Sequence, residues 1–224
     1  QKGFGNSLYI RPFVIATQPA ISASPADEYK FMIILSPAQS YYDKEVRVLF
    51  AEEYSRSASG GVGSAKAAGN YAAQFYPTSL ANKEGYQQII FTDASTHEYL
   101  EEAGTMNIFF RLGDKLITTP TNERILDGIT RKSLIQLAED NNIEVDVRPI
   151  SVSEIKAAAK SGELKEIFGS GTAAVINPIL GFGHGGEKFE LDKLKNSYAS
   201  LFKEKLMNIQ YNIADDAHGW RVKI

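Results

Sequence analysis

Cysteine is absent from the 224 residues, and histidine appears only three times. Without thiols, disulfides, thiolate nucleophiles and cysteine zinc sites are excluded. His97, His184 and His218 lie far apart and form neither an HxxxH nor an HExxH pair, so no metal site is expected, carboxylate-only sites aside. No apolar run reaches the roughly 18 residues of a membrane span, and no signal-peptide pattern opens the chain. An excess of one charge is missing too. A formal net charge of −3 offers no basic footprint for nucleic acid or an anionic membrane, so neither is expected as a partner.

What is present reads as an ordinary soluble globular chain, 43% hydrophobic and 23% charged, and long enough to bury a sizeable core. Strand-like SLYIRPFVIAT at 7–17 follows closely on Gln1, which is not a methionine, so an upstream part is expected to be missing. KFMIILSP at 30–37, EVRVLFAEEY from Glu45 and QQIIFTD at 87–93 have the β-branched and aromatic content of strands. A helix is expected from about Ala65, and a hairpin over 107–120 turning at Leu112–Gly113–Asp114. Ile129, Leu134, Leu137 and Ala138 recur at helical spacing. EVDVRPIS alternates as a strand, and Ser151 with Glu154 makes an S-x-x-E capping box for the helix that follows. EIFGSGTAAVINPIL predicts strand, glycine turn and strand. Leu191, Leu194, Tyr198, Leu201 and Leu206 predict one face of a closing amphipathic helix. Helices and strands mix without strict βαβ alternation, so one domain of α/β or α+β type with a mixed sheet is expected.

The stretch SGGVGSAKAAGNYAA at 59–73 carries the chemistry question. A P-loop needs glycine before its lysine and a hydroxyl after it; here Ala65 and Ala67 flank Lys66. In a GxGxxG reading, Lys66 takes the place of the third glycine. The complete GFGHGG at 181–186 is not followed by an apolar helix and is expected to be a hairpin turn. A solvated lysine at a helix start is the plain reading of Lys66. Its small neighbours also leave room for a pocket, where burial and nearby positive charge favour the neutral amine that attacks a carbonyl.

Three later segments supply partners for such a lysine. In YLEEAGTMNIFF at 99–110, Glu101 and Glu102 precede a small-residue turn, so a carboxylate can point inward. In ILDGITRKS, Gly128 leads into free N–H groups at a helix start, a natural anion site. In FGSGTAAV, Gly169 and Gly171 free the backbone to curl around an anion, and Thr172 adds a hydroxyl. A lysine nucleophile, an acid and two phosphate cradles are what a pyridoxal phosphate enzyme requires.

The order of SLYIRPF, GGVGSAKAAGNYA, EEAGTMNIFF, ILDGITRKS, EIFGSGTA and IQYNIADDAHGW resembles the branched-chain amino acid aminotransferases, fold-type IV pyridoxal-phosphate enzymes. The tail ending in His218 and Trp220 favours them over D-amino acid aminotransferases and aminodeoxychorismate lyases, the related alternatives. The resemblance implies a mixed sheet or pseudo-barrel surrounded by helices. It also implies a cytoplasmic enzyme of branched-chain amino acid biosynthesis, a homodimer when full length. Its reaction would be ping-pong transamination of leucine, isoleucine or valine with 2-oxoglutarate, giving 2-oxo acids and glutamate.

The resemblance assigns roles as well. Lys66 would form the Schiff base with pyridoxal 5'-phosphate and carry the catalytic proton, Glu102 would pair with the pyridine nitrogen, and Tyr71 would bond the phenolic oxygen. Ile129, Thr130 and Thr172 would bind the phosphate, and Arg56 matches an arginine near the cofactor. Tyr9, Arg11, Tyr41, Thr105, Ala173 and Ala174 would line the substrate pocket. Where mammalian members carry a CxxC redox pair, this chain reads AAVINP, so no thiol switch is possible. Residues 1–224 look like the larger, cofactor-binding C-terminal domain with the family's N-terminal domain absent. That absence would impair the isolated chain, or leave it a non-catalytic cofactor-binding or assembly piece.

Overall fold

The computed structural model describes residues 6–38, 46–173 and 175–222. It divides into two compact units, residues 1–43 and 44–224. In the first, β1 (Ser7–Ala16) and β2 (Tyr29–Ala38) pair antiparallel from Ser7↔Ala38 to Ala16↔Tyr29. Their alternating apolar residues, among them Leu8, Ile10, Val14, Phe31, Ile33 and Leu35, are exposed. The link between the strands is stapled by the Thr17 amide on the Glu28 carbonyl, 3.0 Å, and the Asp27 amide on Gln18 Oε1, 2.7 Å.

The second unit is built on one mixed sheet. Its strands are β3 (Val46–Phe50), β4 (Gln88–Thr92), β5 (Tyr99–Ala103), β6 (Asn107–Leu112), β7 (Lys115–Thr118), β8 (Val145–Val147), β9 (Ile150–Ser151), β10 (Leu164–Gly171), β11 (Val175–His184) and β12 (Glu187–Glu190). They run in the order β8-β7-β6-β10-β11-β3-β4-β5-β9, with β12 on β11. The pairs β11–β3, β3–β4 and β7–β8 are parallel and the rest antiparallel, so the sheet is mixed as the hairpin signals imply. The Ala103 amide reaches the Met106 carbonyl at 3.0 Å, so β5 runs through a tight turn straight into β6. The sheet therefore curls back on itself as a half-barrel. Both expected hairpin turns form, each with two residues in the turn. Leu112 pairs with Lys115 around Gly113–Asp114, and His184 pairs with Glu187 around Gly185–Gly186, which sit at φ +59° and +75°. GFGHGG is thus a strand end and turn that needs two left-handed residues, which glycine takes at no steric cost.

Among the described residues five helices flank the sheet: α1 (Ala68–Ala72), α2 (Phe75–Lys83), α3 (Ile129–Asp140), α4 (Val152–Ser161) and α5 (Tyr198–Gln210). Ser151 Oγ caps α4 by accepting from the Glu154 amide at 3.0 Å, and Gly162 closes it at φ +78°. The reciprocal arm of the capping box is diverted, because the Glu154 carboxylate pairs with Arg148 instead, at 2.9 Å. On α3, Leu134, Leu137 and Ala138 face the core as expected, but Ile129 is 72% exposed. It is the first residue of the helix, ahead of the buried stripe. α5 differs more from expectation. Ser197 caps it by accepting the Ser200 amide at 3.1 Å, so Leu191 and Leu194 precede the helix, and its buried stripe is Ala199, Phe202, Leu206 and Ile209. This stripe packs with α3 and with Phe109 and Phe168, whose rings stack at 5.2 Å.

Asp93 organises the β4–β5 connection. Its carboxylate accepts the amides of Ser95, Thr96, Glu98 and Tyr99 and the hydroxyls of Ser95 and Thr96, at 2.7–3.1 Å. Burial raises its pKa, but these donors outweigh that and hold it well below the ordinary 3.8. A depressed carboxyl contributes stability above its unfolded pKa and loses it as pH falls through the folded one. We therefore expect Asp93→Asn to cost on the order of 2–3 kcal/mol in urea unfolding at pH 7, because amide donors would then face an amide nitrogen. At pH 3 the gap between the two proteins should shrink.

Among the described residues no helix is long and apolar enough to cross a membrane, and no cluster of His, Asp and Glu could hold a metal ion.

Candidate active site

The lysine loop is held from three sides. Asn70 Nδ2 donates to the carbonyls of Val62 at 2.7 Å and Ala65 at 2.8 Å, folding the loop onto the start of α1. The Ser64 amide donates to the Glu123 carbonyl at 2.9 Å. A Cβ on Gly63 would lie 2.4 Å from the Arg124 carbonyl oxygen, so only glycine permits this approach. The loop delivers Lys66 Nζ to Tyr71 Oη, where it donates a 3.0 Å hydrogen bond. Lys66 is exposed rather than enclosed, contrary to the pocket its small neighbours suggested. Those neighbours leave its amine open because none of them is large enough to cover it.

On β5 the two consecutive glutamates are both buried, at 3% exposure each, and each has its own arginine. Glu102 Oε1 meets Arg56 Nη1 at 2.9 Å and accepts the Leu126 amide at 2.9 Å, while Oε2 takes Asn107 Nδ2 at 3.1 Å. Burial pushes the Glu102 carboxyl up to about 7, against Arg56, the Leu126 amide and Lys66, which pull it down. Lys66 is thus near enough to be felt electrostatically at this carboxyl. Glu101 instead accepts from Arg124 Nε. Burial raises its pKa, and the bond and charge of Arg124 oppose that.

Asn107 connects this carboxylate to the start of α3. The same Nδ2 donates to the Leu126 carbonyl at 2.8 Å, and its Oδ1 occupies the space a Cβ on Gly128 would need, 2.2 Å away. Leu126–Gly128 then leads directly into the α3 N-terminus. Ile129 and Thr130 there, and Gly171 and Thr172 at the end of β10, line one cavity of about 660 Å³. The two glycine-led segments singled out in the sequence therefore converge. The tail reaches the same cavity: His218 stacks on Trp220 at 4.8 Å and bonds Asp140 through Nε2 at 2.7 Å.

Of the other expected residues, Arg56 is buried and spent on Glu102 and the carbonyls of Gly63 and Arg124, at 3.1 and 2.9 Å. Thr105 is exposed, and its carbonyl lies close to Gly171. Ala173 is half-buried in the β10–β11 turn. Tyr9 and Arg11 stand on the hairpin of the first unit, the guanidinium 5.0 Å from the ring centre. Tyr41 and Ala174 fall outside the described residues.

Sequence reasoning passed over Asn70, Asn107, Gln74 and Arg124. Gly104 has no room for a Cβ because Gln74 Oε1 would lie 1.4 Å from it. The available signal was polar side chains one or two places from the candidate residues, in GNY and TMN, where a helix or strand favours other types.

These features are a loop lysine, a buried carboxylate and a helix N-terminus beside a cavity, on a curled mixed sheet. The sequence model of the family "Amino-transferase class IV" matches residues 1–182, and the chain belongs to that family. A probable branched-chain-amino-acid aminotransferase of Staphylococcus epidermidis is 43% identical over 231 residues, covering 100% of this chain and 64% of the relative. The chain thus spans 64% of that relative's length. The solved branched-chain aminotransferase of Thermoproteus uzoniensis with norvaline is 26% identical with a TM-score of 0.75, over 92% of this chain and 65% of that one. An aminotransferase from Brucella abortus bound to the co-factor PLP shares the fold, at 24% identity and a TM-score of 0.75, over 90% of this chain and 69% of that one.

Proposed function

We propose that residues 1–224 are the cofactor-binding part of a pyridoxal-phosphate-dependent transaminase. Its substrates would be branched-chain L-amino acids, with 2-oxoglutarate as acceptor and Lys66 as the residue joined to the cofactor. The protein would work as a cytoplasmic homodimer. The observation that carries the reading is the run Glu102–Leu126–Gly128–Ile129, which ties a buried carboxylate to an anion cradle through Asn107. The likeness to branched-chain-amino-acid aminotransferases supports the amino-acid class, and the exposed apolar rows of β1 and β2 support assembly with a further copy.

The residues fit the cofactor. A carboxyl whose pKa burial raises is one that a nearby cation would stabilise, and among the described residues Glu102 Oε2 has one hydrogen-bond donor, Asn107 Nδ2. That leaves it free to accept from a protonated pyridine nitrogen. The α3 N-terminal amides with Thr172 suit a phosphate dianion. Bound pyridoxal phosphate supplies an electron sink for the pair left when a substrate Cα–H bond breaks. Glu102 would accept the hydrogen bond of the protonated ring nitrogen, and the charge of Arg56 favours its ionised form. Lys66 Nζ would take the Cα proton and deliver it to the cofactor, with Tyr71 Oη placed to orient that amine. The exposure of Lys66 leaves it accessible to an incoming carbonyl.

Adding pyridoxal phosphate to the protein should produce a visible absorbance band that L-leucine bleaches and 2-oxoglutarate restores. A spectrum that stays the simple sum of protein and free cofactor contradicts the reading. A band that D-alanine bleaches but L-leucine does not contradicts the substrate class.

A further inference from the structure

The Glu101–Arg124 pair lies outside the roles assigned above, yet Arg124 reaches the lysine loop at Ser59 and Gly63. Arg124 Nη1 donates to Ser59 Oγ at 2.7 Å, at the start of that loop. Its backbone oxygen accepts from Arg56 Nη1 at 2.9 Å and closes off the Cβ space of Gly63. Its own amide is fixed by Asn122 Oδ1 at 2.8 Å, and its neighbour Glu123 accepts the Ser64 amide. What anchors the guanidinium is Glu101 Oε1 on β5, one residue from Glu102.

We propose that Glu101 and Arg124 are a positioning pair, a strap that sets the Lys66 loop against the Glu102 carboxylate. The inference rests on the transaminase reading for its consequence but not for its geometry. Burying a carboxylate beside another is costly unless a cation compensates it, and removing one partner strands the other. A pair placed only for stability needs no contact with the catalytic loop. This one reaches it at Ser59 through the guanidinium, and the backbone carbonyl of the same arginine meets Gly63 and Arg56, all on the segment that leads to Lys66. Because the Arg124 carbonyl also holds Arg56, a shift of the strap moves Arg56 relative to Glu102 together with the loop.

The test compares Arg124→Ala with the double variant Arg124→Ala/Glu101→Gln, which removes the strap without leaving a buried charge unpaired. The first readout is amide hydrogen exchange in the apoprotein. The strap predicts exchange over residues 57–66 accelerated by about tenfold or more in both variants, with the β10–β11 hairpin unchanged. The second readout is the pH midpoint of the visible band in the cofactor-loaded protein. A displaced lysine and carboxylate should move it by about half a pH unit or more. Unchanged exchange in the loop overturns the strap. Accelerated exchange with an unmoved midpoint overturns the positioning role, since a merely structural pair gives that result. If the unsubstituted protein gives no band, it is the transaminase reading that fails, and the exchange arm judges the strap by itself.

Discussion

Lys66→Ala is expected to lower transamination of L-leucine by about 10³-fold or more, with thermal stability of the apoprotein nearly unchanged. The magnitude follows from two lost contributions. Positioned proton transfer alone is worth about 10²–10⁴, and the amine that joins the cofactor disappears as well. Stability should hold because Lys66 is exposed and its one hydrogen bond, to Tyr71, lies at the surface. The two readouts separate function from fold. Turnover measured with leucine and 2-oxoglutarate, alongside a melting curve, checks both. A variant within about tenfold of the unsubstituted rate removes Lys66 from the mechanism. Lys66→Arg should be equally inactive, because guanidinium keeps its proton.

Glu102→Gln is expected to act on both activity and pH dependence. The side chain keeps its shape and still accepts from Arg56 and the Leu126 amide, but it cannot hold a protonated ring nitrogen by charge. A loss of turnover on the order of 10²-fold is expected, comparable to removing one well-placed electrostatic group. The linkage sign follows from the raised pKa. Folded Glu102 keeps its proton up to about 7, whereas the unfolded chain releases it near 4.5. Between those values the folded apoprotein binds more protons than the unfolded one, so its stability falls as pH rises. That limb is worth on the order of 2–4 kcal/mol. Glu102→Gln should flatten it, and urea unfolding from pH 4.5 to 8 would reveal the change in slope. A variant with full activity, or with the same slope, contradicts the assigned role of Glu102. Reduced activity beside a flatter stability profile is the pattern of a group kept for function at a cost in stability.

Much of this site was legible because its parts are local in sequence. Lys66 and Tyr71 lie within one short stretch, and Ile129–Thr130 open a helix whose start Gly128 announces. The converging cradle was legible as two segments, though their meeting in one cavity depends on β10 and α3 packing through Phe168 and Leu134. What could not be read was the set of long-range polar contacts. Arg124 meets Ser59, and Asn107 meets Leu126, across loops whose separation no periodicity encodes. The closing helix was displaced for a local reason: the Ser197 side chain caps it by accepting the Ser200 amide, so Leu191 and Leu194 fall outside α5. Expecting Lys66 to be enclosed went wrong because small flanking residues describe the loop's own packing, not what covers the side chain.

The central claim is that Lys66 is the amine that joins the cofactor. Its most direct test is to treat the protein with pyridoxal phosphate, reduce with borohydride, digest, and locate the added mass by peptide sequencing. The account predicts a single stable label on the peptide bearing Lys66, lost when L-leucine is added before reduction. A label on another lysine, or none, would contradict it.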